Sequence, residues 1–161
     1  MSSILKLATK HKLQQQTVQL AAIDGTGFES RHISRYFVRR RERCSQNAYQ
    51  TTTYTRFPKV GIVVNTLNHL ILSAIAGRGP GPDVVHFRKA LAEANHQVAI
   101  RTLVADAGYD SEGSHVYART TLGVHTIIPP LVGRKTSKLP TGKYRRSMAI
   151  RFNKKLYGQR W

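Results

Sequence analysis

The sequence predicts an α/β domain: a mixed five-stranded sheet flanked by helices, with a basic insertion after the first strand. Three observations carry that prediction. The apolar segments fall in the order strand, strand, strand, helix, strand, helix, strand, helix. The alternating second half requires parallel strands with helical crossovers, whereas the first three strands suit antiparallel pairing. A chain of 161 residues with 40% hydrophobic content has enough material for one real core and too little for two comfortable ones.

Taken in order, residues 1–17 are polar with scattered Leu and Ile, and read as a helical or loose lead-in to a main unit at 18–161. "VQLAAIDGTGF" is an apolar run ending in Asp-Gly-Thr-Gly, which suits a central strand entering a Gly-rich turn. "ESRHISRYFVRRRERCSQNAYQTTTYTRFP" lacks periodicity and is too basic for a core, so it reads as a nucleic-acid-facing insertion. "KVGIVVNTLNHLILSAIAGRGPGP" gives two apolar runs joined at Asn-His, a hairpin pattern. In "DVVHFRKALAEAN", Asp83 can cap a helix whose Val84, Phe87, Ala90, Leu91 and Ala94 share one face. "VAIRTLVADAGYD" is another buried strand, "SEGSHVYARTTLG" a short helix closing at Gly123, and "VHTIIPPL" a strand stopped by Pro129 and Pro130. A basic loop then leads to a terminal helix that begins at Tyr144.

Charge speaks about partners. With 26 Lys and Arg against 8 Asp and Glu, the formal charge is +18, and polyphosphate backbones are the usual partners of such a surface. The single cysteine, Cys44, excludes an internal disulfide framework and fits a reducing compartment, and a cytoplasmic, nucleoid-associated location is expected of a chain whose partner is DNA. The longest apolar stretch is broken by Asn65, Thr66, Asn68 and His69, so a membrane span is not expected there. The seven histidines show no zinc-ligand spacing, and "GRGPGPD" lacks the Gly-Lys-Ser/Thr of a phosphate loop.

Scarce acids can be weighed singly. Asp24 in "AAIDGTG" and Asp106 in "LVADAGYD" each end an apolar strand and precede small residues. If the two strands are neighbours, the carboxylates lie side by side, an arrangement suited to Mg2+ or Mn2+, which prefer oxygen ligands and keep positions for phosphate and water. Asp-Gly is also a common turn dipeptide, and either aspartate alone reads that way. The pair, in so acid-poor a chain, points to a metal site. Asp110 or Ser111 is expected to cap the next helix, with Glu112 set against that helix dipole. Basic residues form two blocks: Arg31, Arg35, Arg39, Arg40, Arg41 and Arg43 with Tyr36 and Phe37 interleaved, and a run from Arg134 to Arg160. Phosphate contacts and base stacking account for the first, and no acid balances the second.

The succession "AIDGTG", "GIVVNTLNHLILSAIAGRGPGPD", "VADAGYDSE" and "YRRSMAIRFNKKLYGQRW" resembles the DDE transposases of bacterial and archaeal insertion sequences. The match is to the branch with a Y-x-x-R-x-x-x-E-x-x-x-x-x-x-K signature on its last catalytic helix, and it covers about residues 18 to 161. The resemblance implies a ribonuclease H-like fold in which three carboxylates hold two Mg2+ or Mn2+ ions. Asp24 matches the first acid, Asp106 the second, and Tyr157 and Arg160 open the signature. The third acid is then expected four residues after Arg160, beyond Trp161, on the same helix face as Tyr157 and Arg160. An N-terminal DNA-reading region is likewise expected to be mostly absent, and the chain to be weak or inactive alone.

The resemblance also implies transposon ends and target DNA as partners, a homodimer in the complete enzyme, and no membrane. Arg31, Arg35, Arg39, Arg40, Arg41, Arg145, Arg146, Lys154, Lys155, Tyr157 and Arg160 are the candidate DNA contacts. Two other readings stay open: a basic nucleic-acid-binding remnant without catalysis, and a standalone nuclease completed by Asp110 or Glu112.

Overall fold

The computed structural model describes residues 2–28, 57–79, 81–131 and 139–151. In chain order these form α1 (Ser2–Lys10), β1 (Thr17–Gly27), β2 (Phe57–Asn65), β3 (Ile71–Gly79), α2 (Val84–Gln97), β4 (Ala99–Ala105), α3 (Glu112–Val116), β5 (His125–Ile127) and α4 (Lys143–Arg151). A single 3-10 turn, Ala107–Tyr109, follows β4, and a π-helical turn, Tyr117–Thr121, extends α3.

The five strands make one sheet in the order β3-β2-β1-β4-β5. β1–β2 and β2–β3 are antiparallel, and β1–β4 and β4–β5 are parallel. This mixed, ribonuclease H-like arrangement is the one expected, and the sequence shows why β1 is central. Ala21, Ala22 and Ile23 are consecutive and all buried, which requires cover on both faces of the strand.

The helix α2 lies on β2 and β3 through Phe87, Ala90, Leu91 and Ala94, all fully buried. Burial of Phe87 and Leu91 contributes roughly 1.5–3 kcal/mol each. The Ser73 hydroxyl on β3 donates to the Ala90 carbonyl at 2.7 Å and fixes the helix along the sheet. The sequence places a cap at Asp83, but its side chain makes no capping hydrogen bond.

The polar residues that interrupt the long apolar stretch build the β2–β3 turn. Asn65 Oδ1 accepts from the Leu67 N–H at 3.0 Å, Asn68 Oδ1 accepts from the Leu70 N–H at 3.1 Å, and His69 has φ 58°. Both asparagine amides also donate to Gln14 Oε1, at 3.1 and 3.2 Å, which ties the residues after α1 to the turn. Among the described residues no helix is long and apolar enough to cross a membrane.

Candidate metal centre

The parallel pairing of β1 with β4 runs Leu20↔Thr102, Ala21↔Leu103, Ala22↔Val104 and Ile23↔Ala105. The next step along both strands reaches Asp24 and Asp106. Neighbouring strands lie about 4.8 Å apart, so the register sets the two carboxyl-bearing residues level on adjacent backbones. Side chains alternate along β1, and Gly25 faces α2, so Asp24 points to the other side of the sheet.

Both aspartates are exposed. Asp24 Oδ1 accepts from the Gly25 N–H at 2.7 Å, and Asp106 Oδ1 accepts from the Gly108 N–H at 2.9 Å as the cap of the 3-10 turn. Neither meets a Lys or Arg among the described residues, although the chain is so rich in cations. The other acids of the fold are differently placed. Asp83 Oδ1 meets Lys59 Nζ at 2.5 Å, Asp110 is paired with Arg145, Glu112 accepts backbone N–H groups of α4, and Glu93 stands exposed on α2.

Two level carboxylates with free oxygens and no cationic partner fit a hard divalent cation that keeps several waters. Among the described residues no group of three His, Cys, Asp or Glu gathers into a closed cage. Asp24 and Asp106 are the described residues that could hold such an ion, as an open half-site.

Two neighbours of this half-site escape sequence reasoning. Lys59 and Asp83 lie over Gly25, where a Cβ would collide with Asp83 Oδ1 and come within 3.2 Å of Lys59 Cε. On the α2 face that space is filled by the protein itself.

Tyr109 is the second neighbour. Its ring packs against Phe87 at 6.1 Å between centroids, and its hydroxyl is buried with no hydrogen-bond partner among the described residues. Burial, then the charges of Asp83, Asp24 and Asp106, push the phenol well above its ordinary range. The only sequence signal for Tyr109 is its place in "ADAGYD".

Asp110 and Glu112 do not converge on Asp24 and Asp106. Ser111 caps α3, its Oγ accepting from the Ser114 N–H at 3.0 Å, while Asp110 and Glu112 both face α4. Burial works against the charge of Glu112, but the backbone N–H groups of Arg145, Tyr144 and Lys143 together hold its carboxyl below the usual range.

Of the candidate DNA contacts, Arg146 is exposed and Arg145 is half-buried against Asp110. Arg31, Arg35, Arg39, Arg40, Arg41, Lys154, Lys155, Tyr157 and Arg160 lie outside the described residues.

No curated protein matches the sequence. Among solved structures, the cryo-EM structure of the simian T-cell lymphotropic virus intasome in complex with PP2A regulatory subunit B56 gamma is similar over 73% of this chain, at 18% identity and a TM-score of 0.44. The chain spans 36% of that structure's chain. The family model described as a transposase DDE domain matches residues 16–161. With nearly its whole length matched, the chain belongs to the transposase DDE domain family.

Proposed function

We propose that this domain performs the metal-dependent strand cleavage and strand transfer of DNA transposition, in the insertion-sequence branch with the Y-x-x-R-x-x-x-E signature. The single observation that carries the proposal is the β1–β4 register, which sets Asp24 and Asp106 level, exposed and without cationic partners. Asp24 and Asp106 would hold Mg2+ or Mn2+ there, and ions so held would supply charge stabilisation to the attacking and leaving oxygens of a phosphodiester. The protein's part is to hold those ions with Asp24 and Asp106 and to bind the phosphate backbone with its Arg and Lys residues.

The substrates are then transposon ends and target DNA, met at the nucleoid, with a homodimer as the complete enzyme. Metal binding is the first property expected of Asp24 and Asp106.

The test is nicking of supercoiled DNA with Mg2+ or Mn2+. Metal-dependent nicking that disappears in Asp24→Asn and Asp106→Asn supports the proposal. The large positive charge favours one other reading, a DNA-binding protein without catalysis. It predicts DNA binding that ignores both substitutions, with no nicking at any metal concentration.

A further inference from the structure

Helix α4 has no buried residue, and four of its nine side chains are basic, namely Lys143, Arg145, Arg146 and Arg151. A helix this short is not stable by itself in water, and apolar burial does not hold this one. What holds it is a pair of carboxylates. Asp110, whose side chain is 1% exposed, takes a two-pronged contact from Arg145, Nε to Oδ1 at 3.0 Å and Nη2 to Oδ2 at 2.8 Å. Glu112 accepts the Tyr144 N–H on Oε1 at 3.1 Å and the Arg145 N–H on Oε2 at 3.0 Å. Those are first-turn N–H groups, which no carbonyl within the helix can reach.

Backbone and ring contacts complete the seat. Gly142 has φ +105°, and the Glu112 carboxylate occupies the space its Cβ would need. The Tyr144 ring is flanked by the Arg119 guanidinium at 5.0 Å and the Lys143 ammonium at 5.4 Å. One carboxylate thus fixes the helix start along its axis, and the other fixes its rotation.

The same short segment carries Asp106. Its turn is closed by the Tyr109 N–H to the Asp106 carbonyl at 3.3 Å and the Asp110 N–H to the Ala107 carbonyl at 3.1 Å. Any displacement of Asp106 is therefore passed to Asp110. Asp110 and Glu112 are poor candidates for metal ligands. Both Asp110 oxygens already accept from Arg145, and a cation there would face its guanidinium.

We propose that Asp110 and Glu112 are positioning residues, which lock α4 to the segment that carries the metal-holding Asp106. The proposal rests on the reading of Asp24 and Asp106 as metal-holding acids. A fixed distance between a strand-end carboxylate and this helix is what a site assembled from both needs.

The test measures hydrogen exchange at the Tyr144 and Arg145 amides and Mn2+ affinity, in the full chain and in Asp110→Asn, Glu112→Gln, Arg145→Lys and Asp106→Asn. Loss of one charge-assisted contact is expected to speed exchange at both amides by about tenfold or more. Arg145→Lys keeps the charge but not the fork, and is expected to leave the helix loosened. Mn2+ is expected to slow exchange in α4 of the wild type but not of Asp110→Asn, while Asp110→Asn still binds Mn2+ as the wild type does.

Unchanged α4 exchange in both Asp110→Asn and Glu112→Gln would overturn the proposal. So would Mn2+ affinity falling in Asp110→Asn as far as in Asp106→Asn, which would make Asp110 a ligand. Protection of the Ala21 and Ile23 amides reports whether the sheet is intact, and Glu112→Gln carries the test if Asp110→Asn unfolds it. A wild type that binds no Mn2+ would sink the metal reading and the coupling to it. Exchange in α4 would still decide separately whether the two acids hold the helix.

Discussion

Asp24 and Asp106, like the exposed Glu93, meet no Lys or Arg among the described residues. Asp83 and Asp110 each meet a Lys or Arg, and Glu112 meets the N-terminus of α4. Asp24 and Asp106 were legible in the sequence because each ends an apolar run and meets small residues, a local signal. Asp83 and Lys59 were not, because they meet over Gly25 in a contact that no local pattern encodes, and Tyr109 was not, because its packing on Phe87 is equally non-local. The sequence made Asp83 a helix cap, a common role for Asp before an apolar run. Lys59 competes for that carboxylate and wins. The Tyr109 hydroxyl yields a prediction at this scale. A buried hydroxyl without a partner adds nothing to stability, so Tyr109→Phe is expected to leave the metal-free fold as stable as the wild type, or more so by up to about 1 kcal/mol. Urea unfolding without divalent cations checks it, and a clear loss of stability would show that the hydroxyl has a partner.

Among elements, the sheet was the most readable part and the 106–112 segment the least. Runs such as "VQLAAI" and "TLVA" announce buried strands, and the β2–β3 turn announces itself through Asn65, Asn68 and His69. The segment from Asp106 to Glu112 reads as ordinary helix-start chemistry, yet only Ser111 does that work for α3. Asp110 and Glu112 serve a helix more than thirty residues further along the chain. Acid sensitivity follows from two groups of this region. The Glu112 carboxyl is held below its ordinary value, so its contribution is full above about pH 4.5 and lost as pH falls through the lowered value. His115 is buried at 0% exposure, with Nδ1 2.6 Å from Thr126 Oγ1. Burial, against the opposing pull of Asp110, lowers its pKa. The unfolded chain therefore takes up a proton at His115 first, and stability falls as pH drops below about 6.5. Both effects run the same way. Denaturant unfolding at successive pH values is expected to show stability declining from pH 6.5 downward, and Glu112→Gln to flatten the part below pH 4.5.

For the molecule as a whole, net charge was the plainest message of the composition. It names a class of partner without saying which residues touch it. If six to ten phosphates are neutralised, raising salt from 50 to 200 mM is expected to weaken DNA binding by roughly 10³–10⁵-fold, with little dependence on sequence. A fluorescence-anisotropy titration across that range checks this, and a flat salt response would mean that the charge serves another end. The order of the strands was only partly readable. Alternation showed that the later strands run parallel, but the placement of β4 beside β1 depends on a crossover through α2 that no single segment specifies. That placement brings Asp24 and Asp106 to the ends of adjacent strands.

The most direct measurement is therefore Mn2+ binding by the wild type, Asp24→Asn and Asp106→Asn, followed by calorimetry or by the loss of the free-ion resonance. The account predicts one shared site, so each substitution alone should weaken binding by about tenfold or more, and the double variant should add little to either. Binding that survives both substitutions would place the metal elsewhere. Effects that simply add would show that Asp24 and Asp106, level in the sheet, do not hold the same ion.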